Sequence, residues 1–324
     1  MTKITRRSMV LGAMAAPFVG SLPARAQSWP STVKIVVPYP PAGSTDAMMR
    51  MIQPTLQQRL KATIIIENRP GASGSIGTGV VAKSAPDGGT WAVVFDNHAA
   101  NPYVLPSMSF DTEKDLVPVL LIGTAPYMVT TKPDKPYKTL ADVIAAAKAK
   151  PNSVSYGSVG AGSIGHLAMT LLSNRAGINL VHVPYRGGGP AMNDTVAGHV
   201  DMLIGSTALQ IPQIDGGKIR AIFHTGKGRL SAKPDVAPAS ETFPGFEAYA
   251  WWGVFAPAGT PQATVDKFSA EMAASLREEH VAKQLIETQQ IDLRLGGPPV
   301  MGKFLAEQMQ TWGKVVRDNN IKGG

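Results

Sequence analysis

Short apolar segments alternate with amphipathic ones along the first third of the chain. Residues 33–37 (VKIVV), 63–67 (TIIIE) and 91–95 (WAVVF) are brief and mostly apolar, which predicts three strands. Residues 71–83 lie between the second and third strands and combine a Gly-rich entry with a helical pattern. Strands this apolar, connected through helices, are typical of a mostly parallel sheet that helices cover on both faces.

The first helix is predicted to begin near Ser44. Apolar residues recur after it at every fourth position, at Met48, Ile52, Leu56 and Leu60. Pro54 falls inside this pattern. Because proline lacks the N–H group that a helix interior uses, we expect Pro54 to kink or split the helix.

The same alternation begins again after the Lys- and Pro-rich residues 131–136. Thr139 followed by Asp142 is a capping-box arrangement and predicts the start of a helix. Two further strands are predicted at 154–158 and 181–183, each followed by a helical pattern. The chain is therefore expected to contain a second α/β unit built like the first.

Two segments in the two units echo each other. Residues 36–43 (VVPYPPAG) and 182–189 (HVPYRGGG) share the order strand, Pro-Tyr, Gly-rich turn and helix. The first turn of a helix has unpaired N–H groups and carries about half a positive charge, so it favours an anion. Two such turns that face each other across a cleft would hold a carboxylate from both sides.

The first 26 residues are typical of a secretory signal peptide. Basic residues that include Arg6-Arg7 precede a short apolar stretch at 9–20, and Ala24-Arg25-Ala26 forms a small-x-small cleavage signal. The adjacent arginines leave general secretion and twin-arginine export both open. We expect the mature protein to lie in the periplasm.

Composition then narrows the class of protein. The signal peptide contains four basic residues and no acid, so its removal lowers the formal net charge from +8 to +4. Such a small charge, spread along the chain, does not indicate nucleic-acid binding. The absence of cysteine excludes disulfides, thiolate metal sites, a cysteine nucleophile and a thiol-linked lipid anchor. After the signal peptide no apolar run reaches the length of a membrane span.

One motif supports an alternative function. Residues Gly160–Gly165 (GAGSIG) match the dinucleotide pattern, and they follow a predicted strand and precede a helix. The acid expected about 20 residues later is replaced by the stretch around Arg186, which could accept a 2′-phosphate. An exported NADP-dependent oxidoreductase is therefore the alternative. The other interpretation is an anion-binding turn in which the hydroxyls of Ser158 and Ser163 donate hydrogen bonds.

Few other motifs in the sequence indicate catalysis, metal binding or ligand binding. The six histidines have no metal-ligand spacing, and neither a phosphate-binding loop nor a G-x-S-x-G elbow is present. We therefore predict no metal, no cofactor and no catalytic residue. His166 could reach a ligand or serve as a satisfied interhelical histidine. Arg186 could pair with a carboxylate or brace two loops, and Trp251-Trp252 could pack in the core or stack on a ligand.

The chain resembles the periplasmic solute receptors of tripartite tricarboxylate transporters, also called Bug proteins. The resemblance covers nearly the whole mature chain and depends on six motifs in order, which are 36–46 (VVPYPPAGSTD), 67–74 (ENRPGASG), 157–167 (GSVGAGSIGHL), 183–187 (VPYRG), 216–221 (GGKIRA) and 253–261 (GVFAPAGTP). Ala42 stands where the family usually has glycine, and Met169-Thr170 replace an acid that commonly follows His166-Leu167.

The resemblance implies an α/β fold of the Venus-flytrap type, similar to type II periplasmic binding proteins, with a mostly parallel sheet flanked by helices in each of two lobes. We expect residues 27–130 and 246–324 to form lobe 1 and residues 131–245 to form lobe 2, with the ligand cleft between them. The implied function is capture of a small di-, tri- or aromatic carboxylate, without catalysis. The implied partners are the membrane subunits of a transporter, although a sensor partner is also open, and we expect a monomer.

The resemblance also implies which residues bind the ligand. In lobe 1 they are Tyr39, Ala42, Gly43, Ser44, Thr45, Asp46, Asn97 and His98, and in lobe 2 they are Ser158, Gly162, Ser163, His166, Tyr185 and Arg186. The nearby apolar residues Met48, Phe95, Trp251 and Trp252 indicate a ligand with an aromatic or aliphatic body. Which carboxylate binds stays open.

Overall fold

The structure is a computed structural model that describes residues 29–322. The signal peptide predicted for residues 1–26 lies outside the described residues. The strands of the described part are β1 (Thr32–Val37), β2 (Thr63–Asn68), β3 (Thr90–Phe95), β4 (Leu116–Thr131), β5 (Ser155–Ser158), β6 (Val181–Pro184), β7 (Met202–Ser206), β8 (Arg220–His224), β9 (Tyr249–Pro257) and β10 (Asp292–Gly296).

Helices connect and cover these strands. They are α1 (Ser44–Leu60), α2 (Ser75–Ala82), α3 (Asn97–Val104), α4 (Leu140–Ala149), α5 (Ile164–Ala176), α6 (Gly188–Ala197), α7 (Thr207–Asp215), α8 (Gln262–Leu276), α9 (Glu279–Gln289) and α10 (Pro298–Asp318). Within residues 29–322 none of the helices has both the length and the apolarity to cross a membrane. The predicted helix start at Thr139 is confirmed, since Thr139 and Asp142 form a reciprocal capping box.

The strands follow the order β2-β1-β3-β9-β4-β7-β5-β6, with β8 and β10 also paired to β4. Strand β1 lies parallel between β2 and β3, and β5 lies parallel between β6 and β7. The parallel sheet predicted for each lobe is thus present as a parallel triplet. The antiparallel strands β4, β8, β9 and β10 extend the two triplets.

Strand β4 joins the two halves of this two-lobed α/β fold. It pairs with β9 over residues 116–126 and with β7 over residues 127–131. The lobe boundaries predicted from the sequence remain a proposal, and "lobe 1" and "lobe 2" are used here in that sense. The arrangement matters for the site because the triplets present the loops after their strands toward a common cleft.

The structure shows whether Pro54 interrupts α1 and where the Trp251-Trp252 pair lies. Helix α1 runs from Ser44 to Leu60 without interruption, so the predicted split at Pro54 is wrong. Pro54 is exposed, and water can therefore satisfy the carbonyl that proline leaves unpaired. Trp251 and Trp252 are only 0% and 1% exposed, so both are core residues and neither is placed to stack on a ligand.

Candidate functional site

A cavity of about 560 Å³ lies between the lobes. It is lined by residues of α1 and its entry turn, of β3 and β4, of the entries to α6 and α7, and of the end of α9. The lining residues are Ala42, Gly43, Ser44, Ala47, Phe95, Tyr127, Val159, Gly188, Gly189, Ser206, Ala208, Leu209, Thr288 and Gln289. Within the described chain this lining contains no Lys, Arg, His, Asp or Glu.

The N-terminus of α1 opens into this cavity. Gly43 precedes the helix in an extended conformation, and no side chain caps the first turn. The first N–H groups of a helix have no partner inside the helix, so Ser44 and its neighbours present unpaired donors. The sequence prediction that Gly43 and Ser44 lie at a helix start is confirmed.

The N-termini of α6 and α7 reach the same cavity from lobe 2. Gly188 begins α6, and no side chain caps that helix. Ser206 caps α7, where its hydroxyl accepts a hydrogen bond from the N–H of Leu209 at 3.4 Å. The two helix starts are adjacent, because a Cβ added at Gly188 would lie 2.6 Å from Cδ2 of Leu209. Three partial positive charges therefore converge on a cavity whose lining side chains are all neutral.

Asp46 and Thr45 support the entry turn and do not line the cavity. Asp46 is 2% exposed, and its carboxylate accepts hydrogen bonds from the backbone N–H of Ala42 at 2.8 Å and from Nε of Arg50 at 3.0 Å. Burial alone would raise the pKa of Asp46, but these hydrogen bonds outweigh it and hold the pKa below its ordinary value. Thr45 accepts a hydrogen bond from Nε1 of Trp252 at 3.1 Å.

Ala42 adopts a left-handed backbone conformation, with φ at 63°. This conformation costs a residue with a Cβ about 1 kcal/mol more than glycine.

We expect Ala42→Gly to raise the free energy of unfolding by about 0.5–1 kcal/mol in urea denaturation. As a control, Ala47→Gly in the helix itself should lower it by a similar amount. Equal effects of the two substitutions would contradict this account of the turn.

Tyr39 and Asn97 form a network behind Phe95. The hydroxyl of Tyr39 donates to Oδ1 of Asn97 at 2.7 Å and accepts from the backbone N–H of Phe95 at 2.8 Å. The amide of Asn97 also donates to the carbonyl of Ser73. Neither predicted residue lines the cavity. Both fix the end of β3, from which Phe95 reaches the cavity.

His98 lies outside the cavity, in contrast to the sequence prediction. Its ring is 1% exposed and packs 4.8 Å from the ring of Phe255 and 6.3 Å from that of Phe110. Burial lowers the pKa of His98 to about 3, so the ring is neutral at physiological pH. The neighbours of His98, Phe110 and Phe255, belong to a different core cluster from the one that Phe95 packs against.

The Gly/Ser turn before α5 uses its polar groups internally. The N–H of Gly160 donates to Oγ of Ser158 at 3.3 Å, and the N–H of Gly162 donates to Nδ1 of His166 at 3.0 Å. The N–H of Ser163 donates to the carbonyl of Gly160 at 3.3 Å. The hydroxyl of Ser163 caps α5 by accepting from the N–H of His166 at 3.3 Å. These N–H groups are therefore not available to a phosphate, which weighs against the dinucleotide alternative.

His166, at the start of α5, packs against His182 on the neighbouring strand β6. The rings of His166 and His182 stack with their centroids 3.8 Å apart, and Nε2 of His182 lies 2.7 Å from Oγ of Ser158. Burial lowers the pKa of each histidine to about 4. The turn also meets lobe 1, because a Cβ added at Gly162 would lie 3.0 Å from Cβ of Val104. Ser158, Gly162, Ser163 and His166 thus shape the turn, and Val159 beside them lines the cavity.

Tyr185 and Arg186 lie on the turn before α6 and are not part of the lining. The hydroxyl of Tyr185 donates to Oδ2 of Asp194 at 2.7 Å, which ties the turn to α6. Arg186 is exposed. Of the fourteen residues predicted to bind the ligand, the structure brings only Ala42, Gly43 and Ser44 to the cavity wall.

The sequence interpretation missed most of the wall. Ser206 follows the apolar run 202–204 and precedes a helix, so its capping position was a usable signal. Tyr127 lies on a strand that joins the lobes, and Gln289 lies on a returning helix. No local pattern marks either as facing a cleft. Of the four apolar neighbours expected near the ligand, Phe95 lines the cavity, whereas Met48, Trp251 and Trp252 are buried in the core.

A buried acid lies directly behind this wall. Asp96 accepts a hydrogen bond from the hydroxyl of Tyr127, and both side chains are almost fully buried. Burial raises the pKa of Asp96 to about 8, although hydrogen bonds from Tyr127 and the backbone of Asn97 act in the opposite direction. The carboxyl is therefore mostly protonated at neutral pH and adds little negative charge to the cavity.

Comparison with known proteins agrees with the fold. A family model described as "Tripartite tricarboxylate transporter family receptor" matches residues 48–321. Protein BugT of Bordetella pertussis (strain Tohama I) is 32% identical over 323 residues, which cover 98% of this chain and 99% of that protein.

Two solved structures are similar over almost their whole length. R. palustris Rpa4515, solved with adipate, is 30% identical with a TM-score of 0.82, and the match covers 90% of this chain and 98% of that one. MatC (Rpa3494) from Rhodopseudomonas palustris, solved with bound malate, is 29% identical with a TM-score of 0.77, covering 88% and 98%. The expected family and the two-lobed fold are confirmed.

Proposed function

The chain belongs to the tripartite tricarboxylate transporter receptor family, and from that premise we propose that it is a periplasmic receptor for a small organic carboxylate. It binds the ligand in the cavity between the lobes and delivers it to the membrane subunits of a transporter of the tripartite tricarboxylate type. The family consists of solute-binding receptors, and no bond is made or broken in this function.

The convergence of the α1, α6 and α7 N-termini carries the proposal. Desolvating a carboxylate is costly unless hydrogen-bond donors replace its water. The unpaired N–H groups at Ser44, Gly188 and Ala208 are such donors, and the three helix dipoles supply the positive potential that the neutral side chains do not. The bound adipate and malate of the two related structures support a carboxylate as the ligand.

The rest of the wall favours a ligand with an apolar body. Phe95, Val159 and Leu209 line the cavity from both lobes, and Ala47 and Ala208 leave space between them. Burial of apolar ligand surface here adds roughly 25 cal/mol per Å². Because a ligand that touches both lobes stabilises the closed form, its binding free energy favours closure.

Removal of one backbone donor tests the role of the α1 N-terminus. Proline is tolerated at the first helical position, and Gly43 already has the extended conformation that a following proline requires. We expect Ser44→Pro to weaken carboxylate binding by about 10- to 100-fold, because a hydrogen bond to a charged group is lost. Isothermal titration calorimetry measures this change.

A matched proline elsewhere provides the control. Gln262 is exposed and begins α8, away from the cavity, so Gln262→Pro should leave the affinity unchanged. Equal affinities of the wild-type protein and Ser44→Pro would contradict the proposed role of α1.

A thermal-shift panel tests the function as a whole. Aliphatic, aromatic, di- and tricarboxylates are compared with their uncharged amides and with NADPH. We expect at least one carboxylate to raise Tm and its amide not to do so. A shift with NADPH and none with any carboxylate would support the oxidoreductase alternative and refute the receptor.

A further inference from the structure

Two buried aspartates lie close to the cavity and differ in how their charge is balanced. Asp46 supports the turn before α1, and its carboxylate is paired with the guanidinium of Arg50 at 3.0 Å. Asp96 is also 2% exposed, but its partners are the hydroxyl of Tyr127 and the backbone N–H of Asn97. Within residues 29–322 no Lys, Arg or His forms an ion pair with it. If ionised, Asp96 would therefore be a buried charge without a counter-charge, which is costly.

Asp96 is in direct contact with the cavity wall. Tyr127, which donates a hydrogen bond to it, lines the cavity, and so does Phe95, the residue immediately before it. The described lining contains no basic side chain that could balance a second negative charge. Two anions that are this close and away from water repel each other, so a carboxylate in the cavity favours the neutral form of Asp96.

The other titratable groups around Asp96 keep one charge state over a wide pH range. Tyr127 of β4 and Tyr39 of the turn after β1 face Asp96, and burial raises the pKa of both well above the ordinary value. His98, two residues further along the chain, packs against Phe255, and its lowered pKa keeps it neutral. Burial raises the pKa of Asp96 to about 8, so between about pH 7 and pH 9.5 Asp96 is the member of this group that changes charge.

We propose that carboxylate binding in the cavity is coupled to protonation of Asp96, so that the receptor binds its ligand tightly only while this buried acid is neutral. This inference rests on the proposed function, because it assumes that an anionic ligand occupies the cavity. It adds a regulation of that site by pH. Coupling is reciprocal, so a bound carboxylate must also raise the affinity of Asp96 for its proton.

The pH dependence of affinity tests the coupling in the wild-type protein. Adipate, malate and benzoate are the probes, together with any other carboxylate of the thermal-shift panel that raises Tm. Their carboxyl groups are ionised above about pH 6.5, so their own charge does not change in the experiment. We expect Kd to rise about five- to tenfold between about pH 7 and pH 9.5, because the affinity falls as the free protein loses the proton of Asp96. A Kd constant to within about twofold would overturn the inference.

Proton uptake gives a second measurement that needs no variant. Calorimetry in buffers of different ionisation enthalpy counts the protons taken up when the probe binds. We expect an uptake of about half a proton per bound probe near pH 8.5 and almost none near pH 6.5, where Asp96 is already protonated in the free protein. No uptake near pH 8.5 would contradict the coupling.

Substitution of Asp96 identifies the group responsible. Asp96→Asn is neutral at every pH, so it should bind the probe at pH 7 to within about threefold of the wild-type Kd and keep that Kd up to about pH 9.5. The matched control is Asp266→Asn, at an exposed position of α8 outside the cavity, and it should keep the wild-type pH dependence. A rise of Kd with pH in Asp96→Asn equal to that of the wild-type protein would overturn the inference.

The outcomes separate this inference from the proposed function. If a probe binds in a manner sensitive to Ser44→Pro but with a Kd that does not depend on pH, the inference fails and the receptor function stands. If no carboxylate binds at all, both fail.

Discussion

An Ala47→Trp variant is expected to lose at least about a hundredfold in affinity for any carboxylate that the wild-type protein binds. Ala47 is exposed on α1, lies one turn after Ser44 and lines the cavity. An indole at this position occupies the space into which the ligand body must fit, next to the carboxylate site. A hundredfold loss corresponds to about 2.8 kcal/mol of binding free energy, measurable by calorimetry.

A second tryptophan on the same helix controls for nonspecific effects. Gln58 is exposed on α1 but lies outside the cavity, so Gln58→Trp should bind the ligand as the wild-type protein does. Both variants place a bulky side chain on an exposed helix surface, and neither should unfold the protein. Ligand binding by Ala47→Trp at wild-type affinity would show that the ligand binds elsewhere.

Asp96→Asn is expected to change how stability depends on pH. The carboxyl of Asp96 has a pKa of about 8 in the folded protein, whereas an unfolded aspartate has one near 3.9. Between these values the unfolded chain has lost the proton and the folded chain retains it. The free energy of unfolding therefore falls as pH rises through this range, by up to about 1.4 kcal/mol per pH unit from this group.

The asparagine variant removes this contribution, and its amide oxygen can still accept the hydrogen bond from Tyr127. We therefore expect the unfolding free energy of Asp96→Asn to decline less between about pH 4 and pH 8 than that of the wild-type protein, in urea denaturation at several pH values. Other carboxylates, including Asp46 with its lowered pKa, contribute equally to both proteins. Parallel pH profiles of the two proteins would contradict the buried, protonated state of Asp96.

Local patterns in the sequence were sufficient to predict several helices and strands and one part of the candidate site. The spacing of apolar residues predicts α1, and the Gly-rich turn before it predicts that Gly43 and Ser44 present backbone donors. These features depend on residues close together in the chain. The capping box at Thr139 belongs to the same class, because its two hydrogen bonds join residues three apart.

The partners of polar groups could not be predicted in the same way. A Gly/Ser-rich turn before a helix indicates donors, but whether they face a ligand depends on what else lies nearby. In the turn before α5, Ser158 and His166 take up these donors, and His182 from the next strand packs against them. Asp194 takes the hydroxyl of Tyr185 in the same manner. The side chains that were predicted to contact a ligand therefore hold the turns in place instead.

Contacts that depend on the path of the chain between the lobes also could not be predicted from local sequence patterns. Gln289 reaches the cavity only because α9 packs against both α1 and α7, and this depends on the path of the chain through both lobes. Tyr127 faces the cavity because β4 passes from one group of strands to the other at that residue. Neither position carries a local signal of function.

A crystal structure with the tightest-binding carboxylate of the thermal-shift panel tests the central claim most directly. We expect the carboxylate to lie in the cavity between the lobes, with its oxygens about 3 Å from backbone N–H groups at the starts of α1 and of α6 or α7. A carboxylate bound instead at the turn of Gly160–Ser163, or in any site that does not contact Ser44, would contradict it.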